Sequence, residues 1–193
     1  MRGVEQVPFL YDAGLALLEA TGLGRWRKWL VSGAAGRTLD LGCGTGRNFP
    51  LYAKTARAIG IDPCIETLQA ARRRAPSVPL VLGVGERLPF RDGAFDTAVS
   101  GLVLCSVDDP YRALGELRRV LAPGGTLRLL EHVRAAIAWH ASLQDLAQPF
   151  WTRFTGGCRP NRDTEAVLRK MRFRVDEASR RASGTMRRLV ARP

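Results

Sequence analysis

The sequence predicts an α/β fold: a doubly wound, mostly parallel seven-stranded sheet that closes with an antiparallel C-terminal hairpin. Three observations predict it. Residues 38–46, Thr-Leu-Asp-Leu-Gly-Cys-Gly-Thr-Gly, run from a short apolar strand straight into three glycines. Glycine lacks a Cβ, so the backbone there can turn sharply and approach a ligand closely. Strand and helix patterns then alternate, which calls for a parallel sheet with right-handed crossovers. Finally, two strand patterns at 173–180 and 185–191 flank Ser183–Gly184, a hairpin turn.

The elements follow in order. Residues 9–20 set Phe9, Leu10, Ala13, Leu17 and Leu18 near helical spacing, and 25–31 read as a second short helix. Together they form a helical cap, about residues 1–35, ahead of the first strand and across the expected pocket. Strands are predicted near 37–41, 57–61, 79–83, 95–100 and 126–131, and helices near 47–54, 64–75 and 109–121. The runs Ala-Ile-Gly-Ile and Thr-Ala-Val-Ser are apolar enough for burial on both faces. An amphipathic helix is predicted over 137–154, carrying Ile137, Leu143, Leu146, Phe150, Trp151 and Phe154. A last helix, near 163–171, begins behind Asn161 and Asp163, both suitable caps.

A length of 193 residues predicts one domain, 1–193, long enough to bury a full core. The formal net charge is +12, from 30 Lys+Arg against 18 Asp+Glu. Lysine stands only at positions 28, 54 and 170, and the arginines are scattered. That dispersal argues against a nucleic-acid partner and leaves a weak electrostatic contact with a membrane surface. No run of about eighteen apolar residues predicts a span, and no signal peptide is expected. Cys43, Cys64, Cys105 and Cys158 are dispersed, and the histidines are His132 and His140. This spacing predicts neither a metal site nor a disulfide framework, and it fits reduced thiols in the cytoplasm.

The glycines narrow the ligand. Gly42, Gly44 and Gly46 follow the carboxylate of Asp40, whereas dinucleotide sites use Gly-x-Gly-x-x-Gly against a pyrophosphate. Asp40 would repel a pyrophosphate and suits a cation; S-adenosylmethionine carries both an ammonium and a sulfonium. A second carboxylate, Asp62, ends the strand 58–63 about twenty residues on, where it would grip ribose hydroxyls. A turn-rich stretch at 83–96 and a Pro-Gly-Gly break within 117–127 complete the series.

In this order, over residues 36–135, these segments resemble a class I S-adenosylmethionine-dependent methyltransferase. The resemblance implies a Rossmann-like sheet, S-adenosylmethionine as cofactor, and methyl transfer. It implies that Asp40 and the Gly42–Gly46 turn hold the methionine end, that Asp62 takes the ribose, and that Pro63 and Cys64 sit beside the adenine. Gly85 and Glu86 face the adenine from the other side. The family commonly has Asp where this chain has Val84, so a contact from Gly85 or Glu86 takes over that role. A nicotinamide oxidoreductase is disfavoured by the glycine spacing and by Asp40.

The stretches around Cys105, at Glu131-His132-Val133 and at 157–164 are similar to the small methyltransferase-domain (type 11) branch that includes alkyl thiol, quinone and phospholipid enzymes. This implies a small-molecule or lipid-like acceptor, with thiol sulfur first and quinone, phenol or lipid amine open. RNA is a minority reading. A non-catalytic S-adenosylmethionine-binding interaction subunit is the alternative from another class. Methyl transfer needs positioning above all, and a base only where the nucleophile is protonated. His132, at the carboxyl edge of the sheet, is the candidate base, or else bonds the loop backbone. Glu131 either orients a loop or acts. Cys105 and Trp151, with Trp139, Phe150 and Phe154, either wall a substrate pocket or pack as core. Tyr11, beside Asp12, resembles the tyrosine-containing opening of small methyltransferases; it either covers the ligand or packs.

Overall fold

The structure, a computed structural model, describes Gly3 and residues 7–193 apart from the side chains at positions 10, 11, 18 and 21. Seven strands form one sheet: β1 (Gly36–Leu41), β2 (Ala56–Asp62), β3 (Leu80–Leu82), β4 (Phe95–Gly101), β5 (Leu121–His132), β6 (Arg174–Ser183) and β7 (Met186–Arg192). Their order is β3-β2-β1-β4-β5-β7-β6. Strands β1 to β5 pair in parallel, and β7 runs antiparallel to both β5 and β6. This is the predicted fold class. Strand order reverses between β1 and β4, so a crevice opens beyond their carboxyl ends.

Among the described residues, six α-helices cover the sheet: α1 (Pro8–Leu18), α2 (Gly24–Ser32), α3 (Ile65–Arg74), α4 (Pro110–Val120), α5 (Ala138–Thr155) and α6 (Thr164–Lys170). Gly22, at φ +126°, makes the kink between α1 and α2. Alternation along the strands divides the core. Leu39, Leu41, Ala98, Leu127 and Leu129 pack with Leu114 and Leu117 of α4 and Leu168 of α6. Val99 and Leu130 point the other way, onto Leu30 of α2. Cys43 and Phe49 pack with Leu68 and Ala71 of α3. Each fully buried leucine contributes about 1.5–3 kcal/mol, so both layers are firmly held.

One buried arginine fastens α2 to the sheet. Arg128 of β5 donates to the carbonyls of Leu30 and Trp29, each at 2.6 Å, and lies 4.6 Å from the Trp29 ring centre. It thereby satisfies acceptors that the end of a helix leaves open. At α4, Asp109 accepts from the N–H groups of Tyr111 and Arg112; at α6, Asp163 accepts from Ala166. Asn161 does not cap; it donates to Asp145.

Two expectations are corrected. No α-helix forms over 47–54; only Phe49–Leu51 makes a 3₁₀ turn, and Tyr52 is already extended. Pro50 supplies no N–H to continue a helix, and Arg47 and Asn48 bond elsewhere. Strand β5 also begins earlier than 126, because Leu121 pairs with Phe95 before the Pro-Gly-Gly stretch bulges out and pairing resumes at Thr97–Thr126. Among the described residues, no helix is long and apolar enough to cross a membrane.

Candidate active site

A cavity of about 900 Å³ opens where the strand order reverses. On its β1–β3 side lie Gly42, Gly44, Asp62, Pro63, Gly85 and Glu86; on its β4–β5 side lie Cys105 and His132, with Trp151 and Cys158 from α5 and its end. The volume is in the range of sites that engulf a small ligand.

The glycine turn leaves no room for a side chain at Gly42 or Gly46. Gly42, Gly44 and Gly46 have φ of +57°, +53° and +76°. A Cβ on Gly42 would lie 2.5 Å from Val103 Cγ2, and one on Gly46 would lie 2.7 Å from the Phe49 ring. Gly44 N–H donates to Asp62 Oδ2 at 2.9 Å, while Asp62 Oδ1 accepts from Cys64 N–H at 2.9 Å and Thr67 Oγ1 at 2.8 Å. Asp62 thus ties the turn to the start of α3 while presenting its edge to the cavity.

Asp40 and Gly46 stand behind the cavity wall, not on it. Asp40 is fully buried; Oδ1 accepts from Asn48 Nδ2 at 3.1 Å, and Oδ2 makes no well-formed bond among the described residues. Burial pushes its pKa up to about 7, against the opposing pull of Asn48, Tyr52 and Arg27. A bare glycine backbone over a buried carboxylate fits a ligand whose end is cationic.

The helical cap is clamped onto this turn by residues that sequence reasoning passed over. Asp12 accepts from Thr45 Oγ1 and from Arg74, each at 2.6 Å. Glu19 accepts from Arg47 and from Arg27 Nε, the latter at 2.6 Å; Arg27 donates on to Asn48 Oδ1 at 2.8 Å, and Asn48 reaches Asp40. The neighbouring Tyr11 lies on α1, with its side chain outside the described residues.

Across the cavity, Glu131 organises the loop that follows β4. Its Oε1 accepts from Ser100 Oγ at 2.8 Å, Leu104 N–H at 3.1 Å and Val103 N–H at 3.3 Å; Oε2 accepts from Cys105 N–H at 3.3 Å. Burial pushes its pKa up to about 7, although these four bonds favour the ionised form. The same loop holds Leu102 at φ +64°, a conformation that a branched side chain adopts only under constraint. Glu86 plays a comparable part at the entry to α4, where its Oε1 accepts from the N–H groups of Asp108 and Asp109, at 2.8 and 3.3 Å. A run of backbone donors waiting for a carboxylate leaves no mark in sequence.

Three of the predicted acceptor-side residues come together with a fourth, Cys158. Cys105 Sγ lies 3.7 Å from Cys158 Sγ, which lies 3.9 Å from His132 Nδ1; Trp151 also lines the cavity here. Hydrogen bonding from Cys105, aided by His132 and Trp151, holds the Cys158 thiol below the usual thiol range despite burial. The same contact, with burial and Glu131, pushes Cys105 up. Trp139, Phe150 and Phe154 do not share the wall. They are solvent-facing on the outer side of α5, Phe150 at 77% exposure, while Trp151 and Thr155 of the same helix reach the cavity. Among the described residues, no group of three or more His, Cys, Asp or Glu could hold a metal ion.

The chain is similar to known proteins. Residues 39–129 match the family described as a methyltransferase domain. The chain is 36% identical over 153 residues to thiol S-methyltransferase TMT1B of Homo sapiens, covering 74% of this chain and 63% of that protein. It is 32% identical over 126 residues to demethylmenaquinone methyltransferase of Renibacterium salmoninarum, covering 63% and 53%. A solved S-adenosylmethionine-dependent methyltransferase from Thermotoga maritima shares the fold with a TM-score of 0.73 at 24% identity, over 98% of this chain and 97% of that one. These likenesses support a class I S-adenosylmethionine-dependent methyltransferase, with S-adenosylmethionine as its cofactor. It spans about six tenths of the length of the curated thiol S-methyltransferases it matches.

Proposed function

We propose that this chain methylates the sulfur of a small apolar thiol. The observation that carries this reading is the acceptor side of the cavity, where one imidazole, His132, stands among Val103, Val107, Trp151, Met186 and two thiols, with Ser106, Asp108 and Thr155 as its other polar neighbours. The human relative, a thiol S-methyltransferase by name, supports it. Asp62 would accept from the ribose, the Gly42–Gly46 turn with Asp40 behind it would take the methionine end, and Pro63, Gly85 and Glu86 would flank the adenine. When bound, the cofactor supplies a methyl group on a sulfonium that departs as a neutral thioether. The chain's own residues align the acceptor, exclude water and take the thiol proton. Free thiols are mostly protonated at neutral pH, so His132 acts as the base at a ring nitrogen, a role typically contributing 10²–10⁴-fold. Cys158 approaches Nδ1, which leaves Nε2 to the acceptor.

A quinone-type carbon is the second reading, favoured by the demethylmenaquinone relative. The exposed apolar side chains of α5, on a chain of net charge +12, suit contact with an anionic lipid surface from which an apolar acceptor is drawn. Flotation with anionic but not with zwitterionic vesicles checks that contact. The deciding experiment is a radiolabelled methyl-transfer screen over thiols, phenols, quinones, lipid amines and transfer RNA. Label in thiols supports the proposal. Label in RNA alone overturns it, and cofactor binding without any turnover favours a non-catalytic subunit.

A further inference from the structure

Cys158 and Cys105 meet inside the cavity, yet methyl transfer asks nothing of either thiol. Cys105 sits in the loop that Glu131 organises, and Cys158 follows the end of α5, where Gly156 at φ +98° turns the chain back. The two backbones are already joined beside the sulfurs, because Arg159 N–H donates to the Cys105 carbonyl at 2.9 Å. Cys158 is fixed further by Thr155 Oγ1, which accepts its N–H at 3.1 Å, and by Thr152 Oγ1, which donates to its carbonyl at 2.8 Å. The sulfurs, now 3.7 Å apart, need to close to about 2.05 Å to bond. Adjacent backbones allow that with side-chain rotation. Both residues line the cavity, Cys158 at 6% exposure and Cys105 at 1%, so a small solute entering the mouth meets Cys158 first.

We propose that Cys105 and Cys158 form a redox dithiol in the acceptor half of the cavity, which a peroxide closes to a disulfide that shuts off methyl transfer. This rests on the acceptor-side reading given above. The chemistry balances. The Cys158 thiolate attacks one peroxide oxygen, the O–O bond breaks, and a sulfenic acid and a hydroxide result; the hydroxide takes the proton that the Cys158 thiol had released and leaves as one water. The Cys105 sulfur then attacks the sulfenic sulfur, the S–O bond breaks, and a second water leaves. Two thiols and one hydrogen peroxide become one disulfide and two waters. Cys158 is the attacking thiol because Cys105, His132 and Trp151 favour its thiolate; Cys105, held up by burial, resolves. The disulfide pins the loop after β4 to the end of α5. It also draws Cys158 from His132, so the acceptor wall changes while the glycine turn and Asp62 are untouched.

The test treats the full chain with stoichiometric hydrogen peroxide, removes it, and maps cysteines by mass spectrometry without reduction. The expected result is a Cys105–Cys158 linked peptide, two hydrogens lighter, that dithiothreitol reverses. Affinity for S-adenosylhomocysteine stays within about twofold, while initial methyl transfer, to whichever acceptor the screen identifies, falls at least tenfold. In Cys105→Ser, dimedone traps Cys158 as the sulfenic acid. Absence of the link in the oxidised wild-type chain overturns the dithiol, and a link that leaves transfer unchanged overturns its control of the site. If the reduced chain methylates no thiol but still forms the link, the thiol-acceptor reading fails and the dithiol stands.

Discussion

Replacing Glu131 with glutamine exposes the cost of holding a carboxylate inside the loop after β4. The folded pKa of about 7 stands above the ordinary carboxylate value of 4.5. Between these values the unfolded chain has released the proton and the native chain still holds it. Native stability therefore falls as pH rises through that window, at about 1.4 kcal/mol per pH unit, and levels off above it. Over the whole window this one group removes about 3 kcal/mol. The substituted amide cannot ionise, so the Glu131→Gln variant lacks this slope. At low pH the variant carries its own penalty, because its amide NH₂ or oxygen must meet both Cys105 N–H and the three donors on Oε1. One buried donor left unpaired costs about 1–3 kcal/mol. Urea denaturation of both proteins at a series of pH values from about 4.5 to 8 reads the difference directly. The expected outcome is that the wild type loses its advantage by about 3 kcal/mol as pH rises. A difference that stays flat, or grows, refutes a buried carboxylate held near neutrality by burial.

Other substitutions probe the cofactor side. Asp62→Ala removes three acceptor contacts as well as the expected ribose contact, so calorimetry with S-adenosylhomocysteine should show a loss of about 1–3 kcal/mol. Folding stability should fall too, because the N–H groups of Gly44 and Cys64 lose their partner and Thr67 keeps only its bond to the Cys64 carbonyl. Gly42→Ala sets a Cβ against Val103 at positive φ, which should lower the melting temperature and weaken the cofactor; the strain is about 1–3 kcal/mol. Asp12→Asn loosens the clamp to Thr45 and Arg74, and hydrogen exchange should quicken in α1 while α3 and the sheet keep their protection.

The parts of the site that the sequence announced are those whose chemistry requires one residue type. Glycine alone fits the turn at 42 and 46, and the carboxylate of Asp62 takes the turn and the α3 start at once, so both stand out in the chain. Parts that depend on where a side chain ends up did not stand out. Asp12 and Glu19 look like solvent-facing charges on an amphipathic helix until the glycine turn is folded against them. Phe150 and Trp151 are neighbours in sequence, but helix phase sends one outward and the other into the cavity. The missing helix after Gly46 has a local cause, Pro50, together with side chains drawn to Glu19 and Asp40 that no local pattern reveals.

Arg128 carries a consequence for how the chain assembles. Its two acceptors lie 98 and 99 residues earlier in the chain. During synthesis, the carbonyl end of α2 and the faces of Trp26 and Trp29 appear first, while the strand that covers them has yet to be made. The cap can close early on the glycine turn and α3, but the contacts that Arg128 makes with α2 wait until β5 joins the sheet. Until then its tryptophans are bare apolar surface, and the waiting period is where this protein is most exposed to misassembly.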